Sequence, residues 1–140
     1  MTEPITIVMI EDDDGHARLI EKNIRRAGVM NDMRRFADGT SAVRWLLNEC
    51  EHCALLVLLD LNLPDMSGVD ILRRVKSHPT LKAAPVVVLA TTDDKTEINR
   101  CYELGCSVYV TKPIDYDSFA EAIRRLGLFL QVVRAPELQG

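Results

Sequence analysis

The stretch Leu55-Leu56-Val57-Leu58-Leu59-Asp60-Leu61-Asn62-Leu63-Pro64-Asp65 decides the fold of this chain. An unbroken apolar run that ends on a carboxylate and then on turn-forming residues reads as a strand buried on both faces. Such strands belong to parallel sheets with helices on either side. A charged residue where the strand runs out lies at the carboxyl edge of the sheet, where open α/β folds place their chemistry.

Outward from this stretch the pattern repeats. Residues 5–10 are apolar, rich in β-branched side chains, and stop abruptly at Glu11-Asp12-Asp13-Asp14. Residues 32–37 make a more polar strand suited to a sheet edge, residues 86–90 a second fully buried one, and residues 107–110 a short fifth.

Between the strands, apolar residues fall at helical spacing. Ala17, Leu19, Ile20, Ile24 and Ala27 follow Asp14 as N-cap and stop at Gly28. Thr40 or Ser41 opens a helix carrying Ala42, Val43, Trp45, Leu46 and Leu47. Val69, Ile71, Leu72 and Val75 face inward from a helix that begins after Gly68 and ends at Ser77-His78-Pro79. Thr92 or Asp93 caps a helix through Leu104, stopped by Gly105. The last helix starts near Asp115 and carries Phe119, Ala120, Ile123 and Leu126.

Alternating strands and helices predict an α/β fold, a flavodoxin-like (βα)5 doubly wound parallel sheet in strand order 2-1-3-4-5. That order puts the first, third and fourth strands in the centre, and these are the most apolar runs. The expected organisation is a single domain over residues 1–140, with a core at about 5–127 and a C-terminal helical extension at about 128–140.

Composition narrows the function. The chain has 140 residues, 47% hydrophobic and 27% charged, with a formal net charge of −4. That balance excludes a disordered chain and the basic footprint of a nucleic-acid binder. No apolar run approaches the ~20 residues of a membrane helix. The N-terminus lacks a signal-peptide pattern, so the expected location is the cytoplasm. Cys50 and Cys53, with His52 between them, and Cys101 and Cys106 are expected to be reduced and used as small apolar residues rather than as zinc or redox ligands.

The strand ends converge on a site. The first strand delivers Glu11, Asp12 and Asp13, the third Asp60 and the fifth Lys112. Carboxylates brought together repel, so the cluster needs a cation or a proton. Oxygen-only ligands beside a lysine suit Mg²⁺, a hard ion that keeps waters and bridges phosphate. Lys112 is placed to pair with a carboxylate at rest or with a phosphoryl oxygen after modification.

These residues resemble the receiver domain of two-component response regulators. The likeness rests on Glu11-Asp12, on Asp60 at the phosphoacceptor position, on Pro64 and Gly68 at the family's spacing, and on Lys112-Pro113. The wording around Asp60 and the strand at 86–90 are similar to stand-alone regulators that partner phytochrome-type histidine kinases. The resemblance implies that Asp60 accepts a phosphoryl group from a sensor histidine kinase, a bacteriophytochrome being the expected type. It implies Mg²⁺ held by Glu11, Asp12, Asp60 and the backbone carbonyl of Asn62, Lys112 on the phosphoryl oxygens, and a cis bond between Lys112 and Pro113. The chain is then a signalling protein rather than an enzyme.

One position departs from the family pattern. Ala90 stands where relatives carry Thr or Ser, although Thr91 and Thr92 follow and Tyr109 fills the aromatic switch position. Either Thr91 supplies the hydroxyl or the phosphoryl group loses a hydrogen bond worth about 1.5–3 kcal/mol. The alternative reading is a pseudo-receiver scaffold with weakened phospho-switching.

Few residues follow the last helix, so no DNA-binding output domain is expected and output runs through protein contacts. Leu128, Phe129, Leu130, Val132 and Val133 cover more of a helix than one core face needs, which predicts a homodimer interface. A haloacid-dehalogenase-like phosphatase is disfavoured because Asn62 cannot act as a general acid. A flavin-binding flavodoxin is disfavoured because acidic residues after the first strand repel phosphate.

Overall fold

The structure is a computed structural model and describes residues 5–49 and 54–127. Five strands, β1 (Thr6–Ile10), β2 (Met33–Phe36), β3 (Leu55–Asp60), β4 (Val86–Ala90) and β5 (Val108–Thr111), form one sheet in the order β2-β1-β3-β4-β5. Every pairing is parallel, as the apolar runs predict. The helices are α1 (Asp14–Arg26), α2 (Gly39–Arg44), α3 (Gly68–Ser77), α4 (Lys95–Leu104) and α5 (Tyr116–Gly127). Among the described residues no helix is long and apolar enough to cross a membrane.

Alternation along the strands divides the core in two. Val8, Ile10, Val57, Leu59, Val86 and Val88 meet Ala42, Leu46, Ile71, Leu72 and Cys101 on the side of α2, α3 and α4. Ile7, Met9, Leu56, Leu58, Val87 and Leu89 meet Ala17, Ile20, Ile24, Phe119 and Ile123 on the side of α1 and α5. All six residues of β3 are buried, Asp60 included. That is why the run around it carries no polar alternation.

Several local expectations shift. Asp13, not Asp14, caps α1, its carboxylate accepting the His16 N–H at 2.8 Å. Asp38 caps α2, which begins at Gly39 rather than at Thr40 or Ser41 and continues as a π-turn over Trp45–Glu49. Asp94 caps α4 in place of Thr92 or Asp93. Leu19 and Leu47 point outward, 41% and 39% exposed, so neither belongs to the core stripe. Gly28 and Gly105 end α1 and α4 with φ of +87° and +108°, a conformation only glycine adopts without strain. Cys101 and Cys106 are free, buried thiols, as expected, whereas Cys50 and Cys53 lie outside the described residues.

Candidate functional site

Register brings the site together. Ile10 pairs with Leu59, Asp60 with Leu89 and Ala90 with Thr111, so the carboxyl ends of four strands finish level. The next residues, Glu11 after β1 and Lys112 after β5, therefore meet Asp60 at one edge. The Lys112 backbone N–H donates to the Ala90 carbonyl at 2.7 Å, and its peptide bond to Pro113 is cis, as the resemblance implied.

Lys112 Nζ donates to Glu11 Oε1 at 2.7 Å and stands 3.5 Å from Asp60 Oδ2. Both carboxylates are buried, Glu11 at 0% and Asp60 at 2% exposure. Burial, then the hydrogen bond to Glu11, pushes the Asp60 carboxyl up to about 7, even though the Asn62 N–H donates to its Oδ1 at 3.0 Å. Burial also pushes Glu11 up, but its bonds with Asp60 and Lys112 outweigh that and hold it below the ordinary range. The two neighbouring carboxyls are thus driven apart, Asp60 upward and Glu11 downward.

The charges do not balance on protein groups alone. Glu11, Asp12 and Asp60 each offer a carboxylate oxygen within 4.8 Å of the others, two buried and Asp12 exposed to the opening. Fully ionised, three carboxylates face one lysine. Buried negative charge with an open approach and only oxygen donors fits a hard divalent cation.

Asn62 links the site to β4, since its side-chain amide donates to Thr91 Oγ1 at 3.2 Å. The Ala90 methyl is buried, 1% exposed, leaving no hydroxyl at that position. The Tyr109 hydroxyl donates to the Thr92 carbonyl at 2.8 Å, and burial pushes that phenol up to about 12. The aromatic ring is therefore tied to the loop that follows Ala90. Leu128, Phe129, Leu130, Val132 and Val133 lie outside the described residues.

Three side chains beside the site carry no signal in the sequence. His16 brings Nδ1 to 3.3 Å from Lys112 Nζ and 3.8 Å from Glu11 Oε1. Arg35 reaches from β2 to the Glu11 carbonyl. Asp65 crosses from the loop after β3 to α2, accepting from the Gly39 N–H at 2.8 Å, the Thr40 N–H at 2.8 Å and the Thr40 hydroxyl. Pairings so distant in sequence follow no local period.

Known proteins are similar to this chain in sequence and fold. A receiver-domain structure from Rhodospirillum rubrum is 59% identical, superposes with a TM-score of 0.78, and covers 97% of this chain and 100% of its own. Response regulator Rcp1 of Synechocystis is 30% identical over 138 residues, which is 95% of this chain and 94% of that protein. Rcp1 has been solved in a Mn²⁺-bound form, with a TM-score of 0.74 over 96% of this chain and 100% of the other. The phosphorylated cyanobacterial phytochrome response regulator RcpA is 32% identical, with a TM-score of 0.75 over 91% of this chain and 94% of its own. Residues 7–124 match the family described as response regulator receiver domain. With the same strand order and an acidic cluster facing a lysine across the sheet edge, this chain belongs to that family, and its similarity extends to phytochrome response regulators.

Proposed function

We propose that the chain is a single-domain response regulator, residues 1–140, that takes a phosphoryl group from a histidine kinase onto Asp60. The observation that carries this reading is Lys112 Nζ, bonded to Glu11 at 2.7 Å and 3.5 Å from Asp60. An Asp60 carboxylate oxygen attacks the phosphorus of a phosphohistidine in line. A P–O bond forms, the P–N bond breaks, and the imidazole leaves. Lys112 trades part of its carboxylate pairing for the phosphoryl oxygens, which keeps a positive charge beside the negative charge that develops. Glu11, Asp12, Asp60 and the Asn62 carbonyl would hold Mg²⁺, which supplies charge neutralisation at the phosphoryl oxygens.

The donor is proposed to be a phytochrome-type kinase, on the similarity to RcpA. A mostly apolar cavity of about 180 Å³ beside Lys112, lined by His16, Leu19, Lys112, Pro113 and Ile114, suits a partner's apolar side chain. Output is proposed to run through protein contacts in the cytoplasm, with homodimerisation through Leu128, Phe129, Leu130, Val132 and Val133. At Ala90 the proposed consequence is weaker coupling between phosphorylation and shape, with Thr91 as the substitute hydroxyl.

The test is Mg²⁺-dependent transfer of labelled phosphate from candidate kinases and from acetyl phosphate, with Asp60→Asn as control. Label confined to Asp60 supports the reading. No label under any donor would leave the pseudo-receiver scaffold, which Ala90 favours. If Ala90→Thr changed neither phosphate lifetime nor oligomeric state, the coupling idea would fall. Size-exclusion chromatography of a chain truncated before Leu128 tests the dimer, and an unchanged dimer refutes it.

A further inference from the structure

Asp12 is exposed, so core packing does not aim it, unlike Glu11 and Asp60. Its direction depends on the backbone around it, and β2 holds that backbone from both sides of one residue. The Glu11 N–H donates to the Phe36 carbonyl at 3.0 Å. The Glu11 carbonyl accepts two bonds from Arg35, from Nε at 3.0 Å and from Nη2 at 2.9 Å. Arg35 Nη1 then reaches past Asp12 and Asp13 to the Asp14 carboxylate at 2.7 Å. One guanidinium therefore grips the loop before Asp12 and after it.

We infer that Arg35 is a positioning residue for the divalent cation, fixing the loop so that Asp12 faces Glu11 and Asp60. The inference rests on reading those three carboxylates as the metal site. Arg35 is suited to the task because its planar fork can engage one oxygen with two N–H groups while a third bonds elsewhere. Lysine has the charge without the fork.

Charge and geometry predict opposite signs, which makes the inference testable. Arg35 is a cation near a site for a dication, so by field alone its removal tightens metal binding. By positioning, its removal weakens binding, because partners that orient metal ligands typically account for about tenfold or more in affinity. Arg34 is the natural control. It precedes Arg35 in β2 and carries the same charge, but stacks over Trp45 at 4.9 Å and Phe36 at 5.4 Å.

The experiment is Mn²⁺ titration by electron paramagnetic resonance on the parent, Arg35→Ala, Arg35→Lys and Arg34→Ala. Thermal unfolding and an amide spectrum check each fold. The expected result is about tenfold weaker binding for both Arg35 variants and unchanged or tighter binding for Arg34→Ala. The Asp13 amide, which donates to Glu11 Oε2 at 3.2 Å, should broaden in the metal-free Arg35 variants. Binding by Arg35→Ala as tight as the parent's, or recovery of parent affinity by Arg35→Lys, overturns the inference while leaving the metal site standing. Should Arg35→Ala not fold, Arg35→Lys decides. A parent that binds no Mn²⁺ overturns the metal reading and this inference together.

Discussion

Replacing Asp60 by Asn should stabilise the metal-free protein, and the size of the effect follows from its surroundings. The Asp60 carboxyl sits at about 7 in the fold against an ordinary 3.8. The folded state therefore binds a proton that the unfolded state releases, and stability falls as pH rises from about 4 through about 7. A shift of that size corresponds to roughly 4 kcal/mol when both states are ionised. Asn62 and Lys112 keep bonds or contacts that the variant partly loses. The expected gain is thus about 2–4 kcal/mol at pH 8, or about 10 °C in the unfolding midpoint. At pH 4 the gain should vanish, because Asp60 is then protonated in the fold and isosteric with Asn. Thermal unfolding in EDTA at both pH values measures it. Mg²⁺ should narrow the gap by stabilising the parent preferentially. A variant no more stable than the parent at pH 8 would show that Lys112 already compensates the buried charge, and the argument for a cation-demanding site would be lost.

Three further outcomes are expected. Gly68→Ala should destabilise by about 1–3 kcal/mol in urea unfolding and slow phosphorylation, because a Cβ there would lie 2.5 Å from Leu61 Cα and 2.6 Å from the Asp60 carbonyl; unchanged stability would mean the backbone yields freely. Asp65→Asn should lower the midpoint by a few degrees at pH 7, since bonds from the Thr40 hydroxyl and the Gly39 and Thr40 N–H groups hold that carboxyl down at about 2. That contribution is complete above pH 4 and lost as pH falls through about 2, so the variant and parent curves should converge in acid. Burial pushes the Cys106 thiol up to about 12 and raises Cys101 as well. Mass-spectrometric mapping after alkylation at pH 8 should find both unmodified in the folded chain and modified in urea.

The central sheet was legible because β1, β3 and β4 are buried on both faces and so are written as continuous apolar runs. Glu11 and Asp60 were legible for a related reason, each being the first charge where such a run ends, and Lys112 is the first charge after the shorter β5. Cap identity was not. Asp12-Asp13-Asp14 and the run from Thr91 to Asp94 offer consecutive residues that can all cap, and the choice depends on where the chain leaves the sheet. Leu19 fits the helical stripe by period yet turns outward to line the cavity beside Lys112. The π-turn at Trp45–Glu49 has no apolar period that separates it from α-helix. Asp65 and Arg35 act across the fold, through partners that periodicity does not reach.

Strand β2 has a second consequence. As an outer strand it leaves one side of its backbone unpaired, and an unpaired edge is a template on which another chain can add. Arg34 and Arg35 occupy two of its four residues. A second copy adding at this edge would have to accommodate a long charged side chain on each face of the strand. Growth of the sheet from molecule to molecule is disfavoured at the same strand that holds the β1–α1 loop. Replacing these arginines by β-branched residues would improve the strand's local propensity while opening a route to aggregation.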